Sequence, residues 1–104
     1  MEALDSFFTS FPLQHATLTN LTLCLHLSVS QTQRLIKTYY GVSFREKLIQ
    51  AKVERSQFLM ATTDLSLEAI AEQAGYSSYN AFFEAFTART GQTPSQYRQS
   101  CEEA

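Results

Sequence analysis

Cysteine, proline and glycine are all scarce in this chain: two, two and three residues among 104. Cys24 and Cys101, like His15 and His26, lack the spacing of metal ligands, so no metal site is expected. Cys24 lies in an apolar run and is expected to fill core as a free Cys commonly does. Cys101 sits in a polar tail and reads as an incidental thiol. Neither His has a Ser, Cys or Asp arrangement that suggests a nucleophile with its base. Glu68 and Glu72 are one helical turn apart but read as a solvated face. With no cofactor loop either, neither an enzyme nor a cofactor is expected. No run of eighteen apolar residues exists, which excludes a membrane-spanning helix. The start, MEALDSFFTSFP, carries Glu2 and Asp5 where a secretion signal is basic, so a cytoplasmic chain without membrane attachment is expected. Positive charge is also short: the formal net charge is −2, which by itself argues mildly against a nucleic-acid partner.

That average hides a gradient. Residues 34–55 hold Arg34, Lys37, Arg45, Lys47, Lys52 and Arg55 against Glu46 and Glu54, six cations minus two anions, a local +4. Residues 64–104 hold Arg89 and Arg98 against Asp64, Glu68, Glu72, Glu84, Glu102 and Glu103, two minus six, a local −4. Asymmetry between halves is a clue to partners.

Punctuation is written twice. Gly41, Ser43 and Glu46 recur as Gly91, Thr93 and Gln96. A glycine closes one helix in the left-handed conformation, and a hydroxyl cap with Glu or Gln three residues on opens the next by reciprocal bonds. Pro94 suits the first helical position, which needs no N–H. Upstream, TLTNLTLCLHLS (17–28) aligns with SLEAIAEQAGYS (66–77) at an offset of forty-nine, and after one extra residue the offset becomes fifty, pairing Thr32 with Phe82 and Ile36 with Phe86. No strand-like alternation competes, so the fold class is all-α with seven helices. They span about 2–10, 18–25, 29–40, 44–61, 67–74, 80–90 and 94–101.

The first helix carries an apolar stripe of Leu4, Phe7, Phe8 and Phe11. In the third, Ser28 caps and Gln31 completes a capping box. The fourth is apolar on two sides, with Phe44, Leu48 and Ala51 on one and Ile49, Val53 and Met60 on the other, as a helix packed against two halves needs. Each half reads as a helix-turn-helix unit. The domain is one, 1–104, divided into a first subdomain (1–43), a connector helix (44–61) and a second subdomain (62–104). A connector of that length is roughly 27 Å long, and major-groove sites on one face of a duplex lie about 34–36 Å apart. One rod can thus hold two recognition helices near successive grooves without a dimer.

The stretch DLSLEAIAEQAGYSSYNAFFEAFTARTGQTPSQYR (64–98) resembles the DNA-binding domain of AraC/XylS-type bacterial transcription regulators. It has a small-residue helix, Gly then an aromatic, Phe82 and Phe86 four apart, then Gly-x-Thr-Pro and Tyr-Arg. The likeness covers about 13–98. The first unit is looser, with Thr22 for the usual Ala, His26 for the common Gly and Ile36 for the common Phe. His26 is then strained in its turn, or the turn relaxes differently, or it is a plain surface-turn residue. The resemblance implies a sequence-specific regulator that binds double-stranded promoter DNA as a monomer, with its third and sixth helices in the major groove. Larger members add a sensing or dimerising domain, so this chain is a small regulator or the DNA-binding end of a longer one that dimerises elsewhere.

The candidate DNA-binding residues are Ser28, Ser30, Gln31, Gln33, Arg34, Lys37, Arg45, Ser77, Ser78, Tyr79, Asn80, Phe83 and Glu84. Ser30, Gln33, Arg34 and Lys37 share a helical face, opposite Thr32, Leu35, Ile36 and Tyr39. Arg34 suits a guanine edge and Gln33 an adenine, while Lys37, Ser28 and Ser30 suit phosphates. Arg45 starts the fourth helix, where amides already favour anions; the other basic positions on that helix read as solvated.

In the sixth helix the outer face is Asn80, Phe83, Glu84 and Thr87, with Phe82, Ala85 and Phe86 inward. Glu84 stands where the first unit has Arg34, and three readings stay open. It accepts from a cytosine amino group while Phe83 covers a thymine methyl. Or this unit touches only the backbone, through Ser77, Ser78 and Tyr79. Or Glu84 bonds an internal Arg such as Arg89 and marks a face for another protein, such as RNA polymerase. The alternative function is a protein-interaction module on the same scaffold.

Overall fold

Local caps decide where the helices of this protein begin. In a computed structural model, described here for residues 2–103, the helices are α1 (Glu2–Ser10), α2 (Leu18–Leu25), α3 (Val29–Tyr40), α4 (Phe44–Thr62), α5 (Leu67–Gln73), α6 (Tyr79–Thr90) and α7 (Pro94–Glu103). A 3-10 turn at Leu13–His15, which the sequence pattern did not announce, lies between α1 and α2. The described residues contain no strand. The side-chain oxygens of Thr17, Ser28, Ser43, Ser66, Ser78 and Thr93 each accept from the backbone N–H three residues on. Every such bond satisfies an amide that its helix leaves orphaned.

Helix ends follow the same local logic. Gly41 and Gly91 close α3 and α6 with φ of 76° and 78°. Behind α5, Gly75 and Tyr76 donate to the carbonyls of Glu72 and Ala71, a Schellman pair. His26 takes the matching place behind α2, with φ 58°, and is the described non-glycine residue at positive φ. The strained alternative for His26 is therefore the one that holds, although its side chain is exposed.

Two apolar clusters share one helix. Leu4, Phe7, Phe8, Leu13, Leu21, Ile36 and Ala51 form the first, with Phe44 and Leu48 packed against it. Val53, Met60, Ile70, Ala71, Phe82 and Phe86 form the second. Burying each of these large side chains contributes roughly 1.5–3 kcal/mol. α4 supplies residues to both clusters, as its two apolar sides required; Ile49 is only half-buried. The molecule measures 44 × 24 × 21 Å.

Five expectations are corrected. Cys24 is exposed, not core, because the buried stripe of α2 is Leu18, Leu21, Thr22 and Leu25, which turns Leu23 and Cys24 outward. Tyr39 is exposed, and its hydroxyl donates to Asp5 Oδ2 at 3.0 Å. Arg55 is not merely solvated: its guanidinium donates to the carbonyls of Phe11 and Phe8, each at 3.1 Å, and so holds the chain leaving α1. Lys52 is likewise half-buried, with Nζ 5.5 Å from the Tyr76 ring centre. Finally, Glu46 does not complete the box at Ser43. It pairs instead with Arg89 of α6 at 2.6 Å.

Candidate nucleic-acid interface

The first unit presents a polar face on a well-anchored helix. Ser28 Oγ accepts from the Gln31 N–H at 3.2 Å, and Gln31 Oε1 accepts from the Ser28 N–H at 3.0 Å. This closed box fixes the start of α3, and it commits the Gln31 amide oxygen while leaving its NH2 group. Thr32 and Ile36 are fully buried beneath. That phase turns Ser30, Gln33, Arg34 and Lys37 outward, and all four are exposed. Arg34 makes no ion pair with the described residues. It borders a hollow of about 320 Å3 with Leu27, Gln31, Leu35 and Thr38.

The far end of α3 is tied down by groups that the sequence reading missed. Tyr39 and Tyr40 donate to the two oxygens of Asp5, at 3.0 and 2.6 Å. These bonds, that of Tyr40 foremost, hold the Asp5 carboxyl below its ordinary range. Burial first, then Asp5, pushes the Tyr40 phenol well up. Lys47 lies 4.2 Å from the centre of the Tyr40 ring, a cation–π contact. The adjacent tyrosines at a helix end were the available signal, but nothing local named Asp5, thirty-five residues away. Arg45, on the first turn of α4, is exposed beside the Ser43 cap.

The second unit repeats the frame with different chemistry. α6, like α3, has twelve residues, and it starts fifty positions later. Ser78 caps it through the Ala81 N–H at 3.1 Å. Ser77, Ser78, Asn80 and Glu84 are exposed, and Phe83 retains 38% exposure. Tyr79 is half-buried, edge-on to Phe82 with ring centres 5.8 Å apart. Thr87 departs from the expected outer face: its hydroxyl is buried without a partner. The suggested Glu84–Arg89 bond is absent, because Arg89 is already bound to Glu46. Glu84 is thus exposed and makes no ion pair among the described residues.

Two capped helix pairs sharing one long helix are the geometry of a double helix-turn-helix. A family model described as a helix-turn-helix domain matches residues 21–100. The chain belongs to the AraC-type helix-turn-helix family. In this family the double unit is the DNA-binding domain of transcriptional regulators. Among relatives, the AraC-type chain is 31% identical over 78 residues to the Msm operon regulatory protein of Streptococcus mutans, covering 75% of this chain. It spans only 28% of that protein, and 27% and 37% of two other curated relatives it matches. The C-terminal domain of AraT, a response regulator from Geobacillus stearothermophilus, superposes with a TM-score of 0.82 at 30% identity, over 95% of this chain and 82% of that one. The DNA-binding domain of AdpA, solved in complex with a target DNA, gives 0.84 at 22% identity, over 95% and 88% of the two chains; at that identity the likeness is one of fold.

Proposed function

We propose that this AraC-type domain reads double-stranded promoter DNA as a monomer, with α3 and α6 in adjacent major grooves and α3 supplying most of the affinity. The reading treats 1–43 and 62–104 as the two reading subdomains and 44–61 as the rod between them. The observation that carries it is the outer face of α3, where Gln33, Arg34 and Lys37 stand exposed together on a helix capped at both ends and seated on buried Thr32 and Ile36. Phosphate attraction dominates such affinities, and the exposed cations Arg34 and Lys37 stand on that face, with Arg45 exposed on the first turn of α4. Arg34 has the forked donors that match a guanine edge, and Gln33 the amide that matches adenine. Arg45 and the Ser28 and Ser30 hydroxyls contact phosphates.

The test is a gel-shift titration on a site selected from random duplexes. Arg34→Ala weakens binding by roughly 1–3 kcal/mol and relaxes the base preference where Arg34 reads, as for a lost bidentate guanine contact. An affinity and a preference both unmoved by that change would remove the assignment. The salt dependence separates this reading from a protein-interaction module: log affinity falls with log salt at a slope set by about four to seven phosphate contacts.

A further inference from the structure

We infer that Glu84 reads a cytosine, giving the second half of the DNA site a preference opposite in kind to the first. This deepens the proposed function and rests on it.

The argument begins with equivalence. α3 and α6 have the same length, start fifty residues apart and open with serine caps at Ser28 and Ser78. Their buried residues correspond, Thr32 to Phe82 and Ile36 to Phe86, all with zero exposure. The same shift carries Arg34 onto Glu84 and Gln33 onto Phe83. Whatever Arg34 faces in its groove, Glu84 faces in the next.

Chemistry then narrows the target. A carboxylate is an acceptor only, and Glu84 makes no ion pair among the described residues, where Arg89 is held by Glu46 at 2.6 Å. Phosphate oxygens repel it. Among major-groove edges, guanine offers two acceptors and thymine one, so both leave lone pair against lone pair. Adenine offers a donor, but its N7 acceptor lies alongside. Cytosine offers the N4 amino donor with no neighbouring acceptor of its own, and so suits a carboxylate best. Phe83, 38% exposed next along the helix, sharpens the choice. Its ring suits the methyl of a neighbouring thymine, which sets the register in which the carboxylate meets its base.

The division of labour is physical. The α3 face, with Arg34 and Lys37 exposed, supplies attraction that is largely indifferent to sequence; the α6 face, with Glu84 in the place of Arg34, supplies discrimination with little attraction. An operator for this domain therefore carries guanine or adenine under the first unit and cytosine under the second on the corresponding strand.

The experiment selects duplexes from a random pool with the 104-residue chain and with Glu84→Ala and Glu84→Arg, checking the fold of each by circular dichroism. The unaltered chain enriches cytosine at one position of the second half-site, and replacing that cytosine weakens binding by roughly 5- to 100-fold. Glu84→Ala makes the four bases equivalent there and leaves the first half-site unchanged. Glu84→Arg exchanges the cytosine for guanine at the same position. Identical base profiles for the unaltered chain and Glu84→Ala would overturn the inference while leaving DNA binding intact; so would an adenine preference that Glu84→Ala abolishes. A pool in which the unaltered chain enriches nothing removes the proposed function itself, and this inference with it.

Discussion

Replacing Gly75 by alanine tests how the two halves are joined. Gly75 follows α5 at φ +99°, and a methyl built there meets the Leu13 carbonyl carbon at 2.8 Å and the Gln14 nitrogen and Leu13 Cβ at 2.9 Å. Two of these are backbone atoms of the 3-10 turn, so no side chain can swing aside. The conformation alone costs a non-glycine residue about 1–2 kcal/mol, and forcing atoms into packed space adds roughly 1–3 kcal/mol. For a domain of this size each kcal/mol lowers Tm by about 4–8 °C, so the combined cost of about 2–5 kcal/mol is expected to lower it by roughly 8–40 °C in Gly75→Ala. Gly41→Ala and Gly91→Ala are the controls. Their φ values are 76° and 78° with nothing within 4 Å of the added methyl, so each carries the conformational cost alone, about 4–8 °C per kcal/mol. Thermal unfolding followed at 222 nm compares the three variants. A Gly75→Ala protein no less stable than Gly41→Ala would refute the claim that the turn behind α5 is pressed against residues 13 and 14.

His26→Gly relieves a left-handed residue and is expected to stabilise the protein by about 1 kcal/mol in urea titrations. Arg55→Met removes two charged donors and strands the Phe8 and Phe11 carbonyls, an expected loss of about 2–3 kcal/mol by the same assay. Tyr76→Phe removes a buried hydroxyl that has no partner, so at pH 7 it is expected to be neutral or stabilising by up to about 1 kcal/mol. Burial pushes the Tyr76 phenol from 10.0 up to about 12. A phenol raised by burial leaves stability unchanged below pH 10, where both states hold the proton, and drains stability as pH climbs from 10 toward 12. Stability measured across that window therefore declines less steeply in Tyr76→Phe than in the unaltered chain.

Helix boundaries were readable because caps are written within three or four residues of the groups they satisfy. Ser28 with Gln31, Gly41, Thr93 with Gln96, and Gly91 all perform the expected task. The exposed face of α3 was readable for a related reason: once Thr32 and Ile36 face inward, helical phase puts Arg34 outside. Failures came where a residue's partner is remote. Glu46 has the right spacing to close its own cap, yet a guanidinium forty-three residues away outbids the local amide. Arg55 looked solvated because backbone carbonyls, which every residue has, leave no mark in a sequence. Cys24 was misjudged because a short apolar helix leaves its phase ambiguous until its neighbours are in place. The outward Glu84 was visible from the repeat; only the occupied Arg89 removes its internal partner.

The bridge between Glu46 and Arg89 makes alignment of the two reading helices partly an ionic matter. Both side chains stay open to solvent, at 45% and 35% exposure, so dissolved ions weaken this strut under the same conditions that loosen a phosphate contact. Operators with the ideal separation between half-sites should therefore be favoured most sharply in dilute buffer. Imperfectly spaced ones should gain ground, relative to the ideal, as the ionic strength rises.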